Sequence, residues 1–187
     1  SVEKALSLGL DVVNSVAQLH SMGPVVHGDL HIGQYLINSE GKVQLGDLEL
    51  SRYVGLDHSG KKCTFSKVKG DLSKKNNGIF DSPERLSLND NLDEKTDIYR
   101  VALTLWSLLS RESPYKKQKD FKHSVIAGER PSLDLVSGYP QEMKDLIVEA
   151  WDSDPQKRPS AAEMAKRMRV IVEQFQFAGQ TSKTSVN

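Results

Sequence analysis

One cysteine, Cys63, is all the thiol that the 187 residues contain, so no disulfide can close within the chain. An excess of charge of either sign is missing as well. Lys and Arg together number 25, as do Asp and Glu, and this balance argues against a general nucleic-acid binder, which neutralises phosphates with surplus cations. No apolar run approaches the ~20 residues that a bilayer span requires; the longest, Val101 to Leu109, has Thr and Ser inside it. Internal repeats and low-complexity segments are absent too. What is present is 37% hydrophobic and 27% charged residues without net charge, enough for a packed core and too apolar for a disordered chain. These features read as a soluble, folded chain, intracellular and most simply cytoplasmic. The length is one domain's worth. The pattern is helical from Ser1 onward, and the missing initiator Met points to a cut rather than a natural start.

Apolar residues at Val2, Leu6, Leu10, Val13, Val16 and Leu19 make one stripe of an amphipathic helix over residues 1–22, ended by Gly23-Pro24. Two short apolar runs follow, Tyr35-Leu36-Ile37 and Val43-Gln44-Leu45. The polar stretch Asn38 to Lys42 between them suits a hairpin turn, so they predict a small two-stranded ribbon. From Asp57 to Gly78 the chain is polar and Lys-rich without a sustained period and reads as a long loop. A helix apolar almost all round, and therefore buried, is expected from Thr96 to Leu109. Further helices are expected at Gln118 to Ala127, at Gln141 to Trp151 and at Ala161 to Gln174, where Ser160 and Glu163 supply a capping box. Residues 176–187 read as a frayed tail.

The chemistry gathers between the first helix and the ribbon's end. His27-Gly28-Asp29-Leu30-His31 to Leu36 leads into the ribbon, and Leu45-Gly46-Asp47-Leu48-Glu49 leaves it. A short hairpin can return the chain so that Asp29 and Asp47 converge on one cleft. Two carboxylates and an amide suit phosphoryl transfer, in which one group orients an attacking hydroxyl and others hold Mg2+ on nucleotide phosphates. The pattern resembles the catalytic loop and metal-binding turn of the eukaryotic-type protein kinase superfamily. Ser82-Pro83-Glu84 is similar to that family's Ala-Pro-Glu, Asp97-Ile98-Tyr99 to the opening of its buried helix, and Trp151 to Ser160 to its closing Trp, Asp-Pro and Arg-Pro elements.

The resemblance covers Val2 to about Phe175 and corresponds to the C-terminal lobe alone, a mainly α unit with a small two-stranded ribbon. It implies four parts over residues 1–175: a first helix at 1–22, the catalytic loop and metal turn at 27–49, an activation segment at 47–84 and a helical subdomain at 94–175. It further implies that Asp29 is catalytic, that Asp47 and Gln34 hold Mg2+, and that Leu36 and Asp47 face ATP. Asp97 would then fix the loop by accepting hydrogen bonds from backbone N–H groups near His27 and Gly28, and Glu84 with Arg158 would form a buried ion pair. The implied partners are a protein substrate and the chain's own N-terminal kinase lobe, with no nucleic acid and no membrane segment. Without that lobe, weak or no activity is expected of this stretch alone.

Departures from the family pattern keep other readings open. Gly28 stands where an Arg is usual, His31 where Ser/Thr-type kinases have Lys, Gln34 for Asn, and Leu48-Glu49 for Phe-Gly. They leave Ser/Thr against Tyr specificity unread and motivate a pseudokinase or scaffold as the alternative. His-Gly-Asp-Leu-His-x-Gly also looks like the aminoglycoside and choline phosphotransferases, a second alternative. His27 reads as a packed structural histidine, whereas His31 is open between a phosphate-facing group and a solvated loop residue. Lys61, Lys62, Lys67, Lys69, Lys74 and Lys75 read as a solvated loop face or a patch for an acidic peptide or phosphate. Trp106 and Trp151 read as core aromatics.

Overall fold

The computed structural model describes residues 1–56, 58–61, 78–87, 93–116 and 118–184, the last four of these by backbone alone. Most of the Lys-rich loop, including Lys62, Lys67, Lys69, Lys74 and Lys75, lies outside them, as does Cys63. Helix α1 (Val2–Ser21) starts where the Ser1 hydroxyl accepts from Lys4 N at 3.3 Å and has Glu3 in its first turn, favourable to the helix dipole. It buries Leu6, Gly9, Val12, Val13, Val16 and Leu19. A Cβ on Gly9 would lie 3.2 Å from both Leu105 and Met168, so glycine lets α1 approach the two helices beneath it closely.

Those helices are α3 (Glu94–Ser110) and α6 (Ala161–Thr184). Asp93 caps α3 by accepting from Lys95 N at 2.9 Å, and Arg111 closes it in the left-handed conformation at φ 60. Between these ends nearly every side chain is buried, including Ile98, Val101, Leu105, Trp106 and Leu109. Helix α5 (Gln141–Ala150) adds Met143, Leu146 and Ile147 to the same core, and Trp151 follows it at 4% exposure. The short helices α2 (Pro83–Leu86) and α4 (Phe121–Ile126) flank it. The expected helix from Gln118 is shorter, because the Asp120 carboxylate accepts from His123 N at 3.3 Å and sets the start there.

Two antiparallel ribbons lie beside this mainly helical body among the described residues. One is the expected pair, β2 (Tyr35–Ile37) with β3 (Val43–Leu45), in the register Tyr35 to Leu45 and Ile37 to Val43. The other pairs β1 (Val25–Val26) with β4 (Arg52–Tyr53). Strands of two residues are too short to show a period, which is why this ribbon was not expected. A second correction concerns residues 176–184, read as a frayed tail. They continue α6 to Thr184, since a helix already held by buried Met164, Met168 and Ile171 propagates without a new nucleation step and polar residues oppose it only weakly.

Candidate functional site

Helix α1 delivers the chain through β1 to His27, and the β2–β3 ribbon returns it to Asp47, so the two ends of the ribbon meet. The Gly46 N–H donates to the Gln34 carbonyl at 2.9 Å and closes that return. A 3₁₀ turn at Ile32–Gln34, started by the His31 side chain accepting from Gly33 N at 3.1 Å, aims Gln34 inward. Its Nε2 then donates to Asp29 Oδ2 at 3.1 Å and to Asp47 Oδ2 at 3.4 Å. Asp29, Gln34 and Asp47 are thereby brought together. Asp47 holds a left-handed backbone at φ 57, which Asp tolerates better than most residues, and its Oδ1 accepts from Glu49 N at 3.3 Å. Glu49 itself has no positive φ, so the residue after Leu48 does not require glycine here.

The loop is braced from below and from the side. Asp97, fully buried at the start of α3, accepts from His27 N at 2.7 Å and Gly28 N at 3.0 Å and contacts His20 Nε2 at 3.0 Å. His27 is fully buried; with its proton on Nε2 it donates to the Gly46 carbonyl at 3.0 Å while Nδ1 accepts from Asp29 N at 3.3 Å. The imidazole is thus a strut between the two acidic segments. His31 is partly buried, its Nε2 3.9 Å from Asp29 Oδ2, and burial holds its pKa below the ordinary value despite the nearby Asp29 charge. Leu36 lies apart from these groups on the outer face of the ribbon, 64% exposed.

Glu84 and Arg158 meet in a two-pronged pair, Nη1 to Oε1 at 2.7 Å and Nη2 to Oε2 at 2.9 Å. Burial alone would raise the Glu84 carboxyl, but the hydrogen bonds and charge of Arg158 outweigh it and hold the carboxyl below its ordinary range. Arg158 also donates to the carbonyls of Asp152 at 2.8 Å and Lys95 at 2.9 Å and lies over the Tyr99 ring. Two participants went unforeseen in the sequence, Arg100 and Asp81. Arg100 donates to Asp29 Oδ1 at 3.2 Å, to the Leu30 carbonyl at 3.3 Å and to Asp81. The signal was an Arg inside a helix apolar almost all round, a place where a cation persists only when paired.

The family described as "Protein kinase domain" matches residues 2–168. The chain belongs to the protein kinase family. A relative named "Probable serine/threonine-protein kinase drkC", from Dictyostelium discoideum, is 31% identical over 169 residues, covering 88% of this chain and 21% of that protein. The Dictyostelium "Dual specificity protein kinase shkB" is 27% identical over 168 residues, 88% of this chain and 24% of its own. The "Serine/threonine-protein kinase mos" of Gallus gallus is 30% identical over 183 residues, 92% of this chain and 49% of the relative. This chain therefore spans less than half the length of these relatives.

For a kinase the donor set at the cleft can be weighed against Mg2+. Two carboxylates and an amide are hard oxygen donors, the kind Mg2+ takes in small number while phosphates and waters complete its shell. Among the described residues no group of three or more His, Cys, Asp or Glu is placed to hold a metal ion by itself. Gln34 presents its Nε2 to both carboxylates, so a half-turn of the amide is needed to present its oxygen instead. No described helix is long and apolar enough to cross a membrane.

Proposed function

We propose that residues 1–175 are the C-terminal lobe of a protein kinase domain that transfers the terminal phosphoryl group of Mg-ATP to a hydroxyl of a protein substrate. The observation that carries this reading is the convergence of Asp29, Gln34 and Asp47 through one amide, in a chain of this family. The substrate oxygen bonds to the terminal phosphorus, the bond from that phosphorus to the bridging oxygen breaks, ADP departs, and the hydroxyl proton passes to Asp29. Asp47 and a turned Gln34 would hold Mg2+, whose charge offsets that of the phosphates. Leu36 supplies an exposed apolar surface suited to the floor beneath adenine and to contact with an N-terminal lobe.

One observation favours the scaffold reading as the second choice. The Gln34 amide already bridges both carboxylates and Arg100 already pairs with Asp29, so part of the work of a bound cation is done by the protein. The full-length protein separates the two. For a kinase, Mg-ATP raises the melting temperature and a generic basic protein is labelled from γ-labelled ATP; Asp29→Asn abolishes labelling and keeps the thermal shift. A shift without labelling of any protein favours the scaffold, and labelling of an aminoglycoside or choline but no protein favours a small-molecule phosphotransferase.

A further inference from the structure

We infer that Arg100 is the positioning residue that orients Asp29, by tying its carboxylate to Asp81 beside the Ser82-Pro83-Glu84 turn; the kinetic consequence rests on the phosphoryl-transfer reading above, the tie itself does not. Arg100 projects from the most buried helix and is 2% exposed, so its cation must be answered by the groups around it. Nη1 donates to Asp29 Oδ1 at 3.2 Å and to the Leu30 carbonyl at 3.3 Å, and Nη2 pairs with Asp81. Asp81 in turn accepts from Arg85 Nε at 3.0 Å. A guanidinium is planar and rigid, so a fork seated on the Leu30 carbonyl fixes where both carboxylates sit.

The consequence for Asp29 is that its two oxygens become unlike. Oδ1 is drawn inward to Arg100, whereas Oδ2 faces Gln34 and lies 3.9 Å from His31, on the side where Asp47 converges. Without the cation the carboxylate is free to rotate and exchange them. No side chain from the residue before Asp29 can take this role. Gly28 sits at φ +79, and a Cβ there would lie 2.9 Å from the Leu50 carbonyl oxygen, because backbone closes over it. The cation arrives from α3 beneath the loop instead, and its far partner is a carboxylate of the chain itself.

The test compares the full-length protein with Arg100→Met, Arg100→Lys, Asp81→Asn and the Arg100→Met/Asp81→Asn double variant. Two readouts are taken: steady-state phosphoryl transfer, and amide hydrogen exchange over residues 27–34. Arg100→Met is expected to lower kcat by roughly 10- to 100-fold, as small displacements of a reacting group do, with the KM for ATP within about twofold of the parent. Arg100→Lys recovers part of the loss. Asp81→Asn lowers kcat in the same direction, and the double variant is no slower than Arg100→Met because both act through one tie. Unchanged kcat in Arg100→Met and Asp81→Asn, or losses that multiply in the double variant, overturns the inference. Asp81 is partly exposed, so its variant carries the test if Arg100→Met does not fold. If the parent transfers no phosphoryl group, the kinase reading fails and exchange decides the tie alone. Faster exchange over 27–34 in Asp81→Asn, whose carboxylate reaches that loop through Arg100, supports it, and unchanged exchange overturns it.

Discussion

Replacing Glu84 by Ala strips Arg158 of both carboxylate oxygens while leaving its cation buried between α3 and the segment after Trp151. The Arg158 side chain is fully buried and that of Glu84 is 11% exposed, so solvent compensates little. Breaking a buried pair from one side costs about 3–5 kcal/mol. At about 2–4 °C per kcal/mol for a domain of this size, the melting temperature falls by about 6–20 °C. Glu84→Gln keeps an acceptor and the shape and loses the charge, so it falls between parent and Ala. Arg158→Met is expected to be the worst of the three, because the Asp152 and Lys95 carbonyls also lose a donor, each orphaned acceptor adding about 1–3 kcal/mol.

The deficit should depend on pH in a stated direction. Arg158 holds the Glu84 carboxyl below its ordinary 4.5, so the pair's contribution is complete above that value and is lost as pH falls through the lower folded value. The gap between parent and Glu84→Ala therefore narrows below about pH 4.5. Thermal and urea unfolding of the full-length protein, followed by tryptophan fluorescence, measures both effects. A Glu84→Ala variant melting within about 2 °C of the parent at neutral pH, or a gap that widens in acid, refutes this account.

Gly28→Ala and Gly41→Ala form a matched pair, since φ is +79 and +78 but only at Gly28 does a Cβ meet anything within 4 Å. Both pay about 1–2 kcal/mol for a left-handed alanine; the excess loss at Gly28, read from urea midpoints, reports the 2.9 Å approach of the Leu50 carbonyl, and equal losses would show the loop yields there freely. Burial holds His31 below its ordinary 6.5, so the stability its neutral form contributes is complete above pH 6.5 and is lost as pH falls through the lower folded value. His31→Asn is expected to flatten the pH dependence of the urea midpoint just below pH 6.5, and an unaltered slope counts against it.

Much of this architecture is local and therefore legible. The stripe of α1 follows from a period of 3.6, the buried character of α3 from apolar residues almost all round, and the β2–β3 hairpin from two short apolar runs about a polar turn, and the hairpin's shortness is what carries Asp47 back toward Asp29. Asp97 illustrates the next level: the resemblance implied an acceptor for N–H groups near His27 and Gly28, and both donate to it, whereas its contact with His20 comes from packing that no motif states. The β1–β4 pairing and the Arg100–Asp81 contact were not legible. The first joins two-residue strands far apart in sequence, and the second joins α3 to a segment whose place is set by the Glu84–Arg158 pair. The tail reading failed for a different reason, since composition suggests fraying while propagation from a packed helix resists it.

One turn of α3 holds the loop and the Ser82-Pro83-Glu84 turn at once. Thr96 donates to Glu84 Oε1 at 3.3 Å, Asp97 accepts from the backbone of His27 and Gly28, and Arg100 reaches Asp29 and Asp81. Asp97 and Arg100 are three apart and so share a helix face, which is why one rigid surface serves two segments. Charges at those positions are a poor source of stability, since apolar residues would suit a buried helix as well or better. Their directional bonds instead define where the loop and the turn sit on the helix, and neither segment shifts without breaking its bonds to α3.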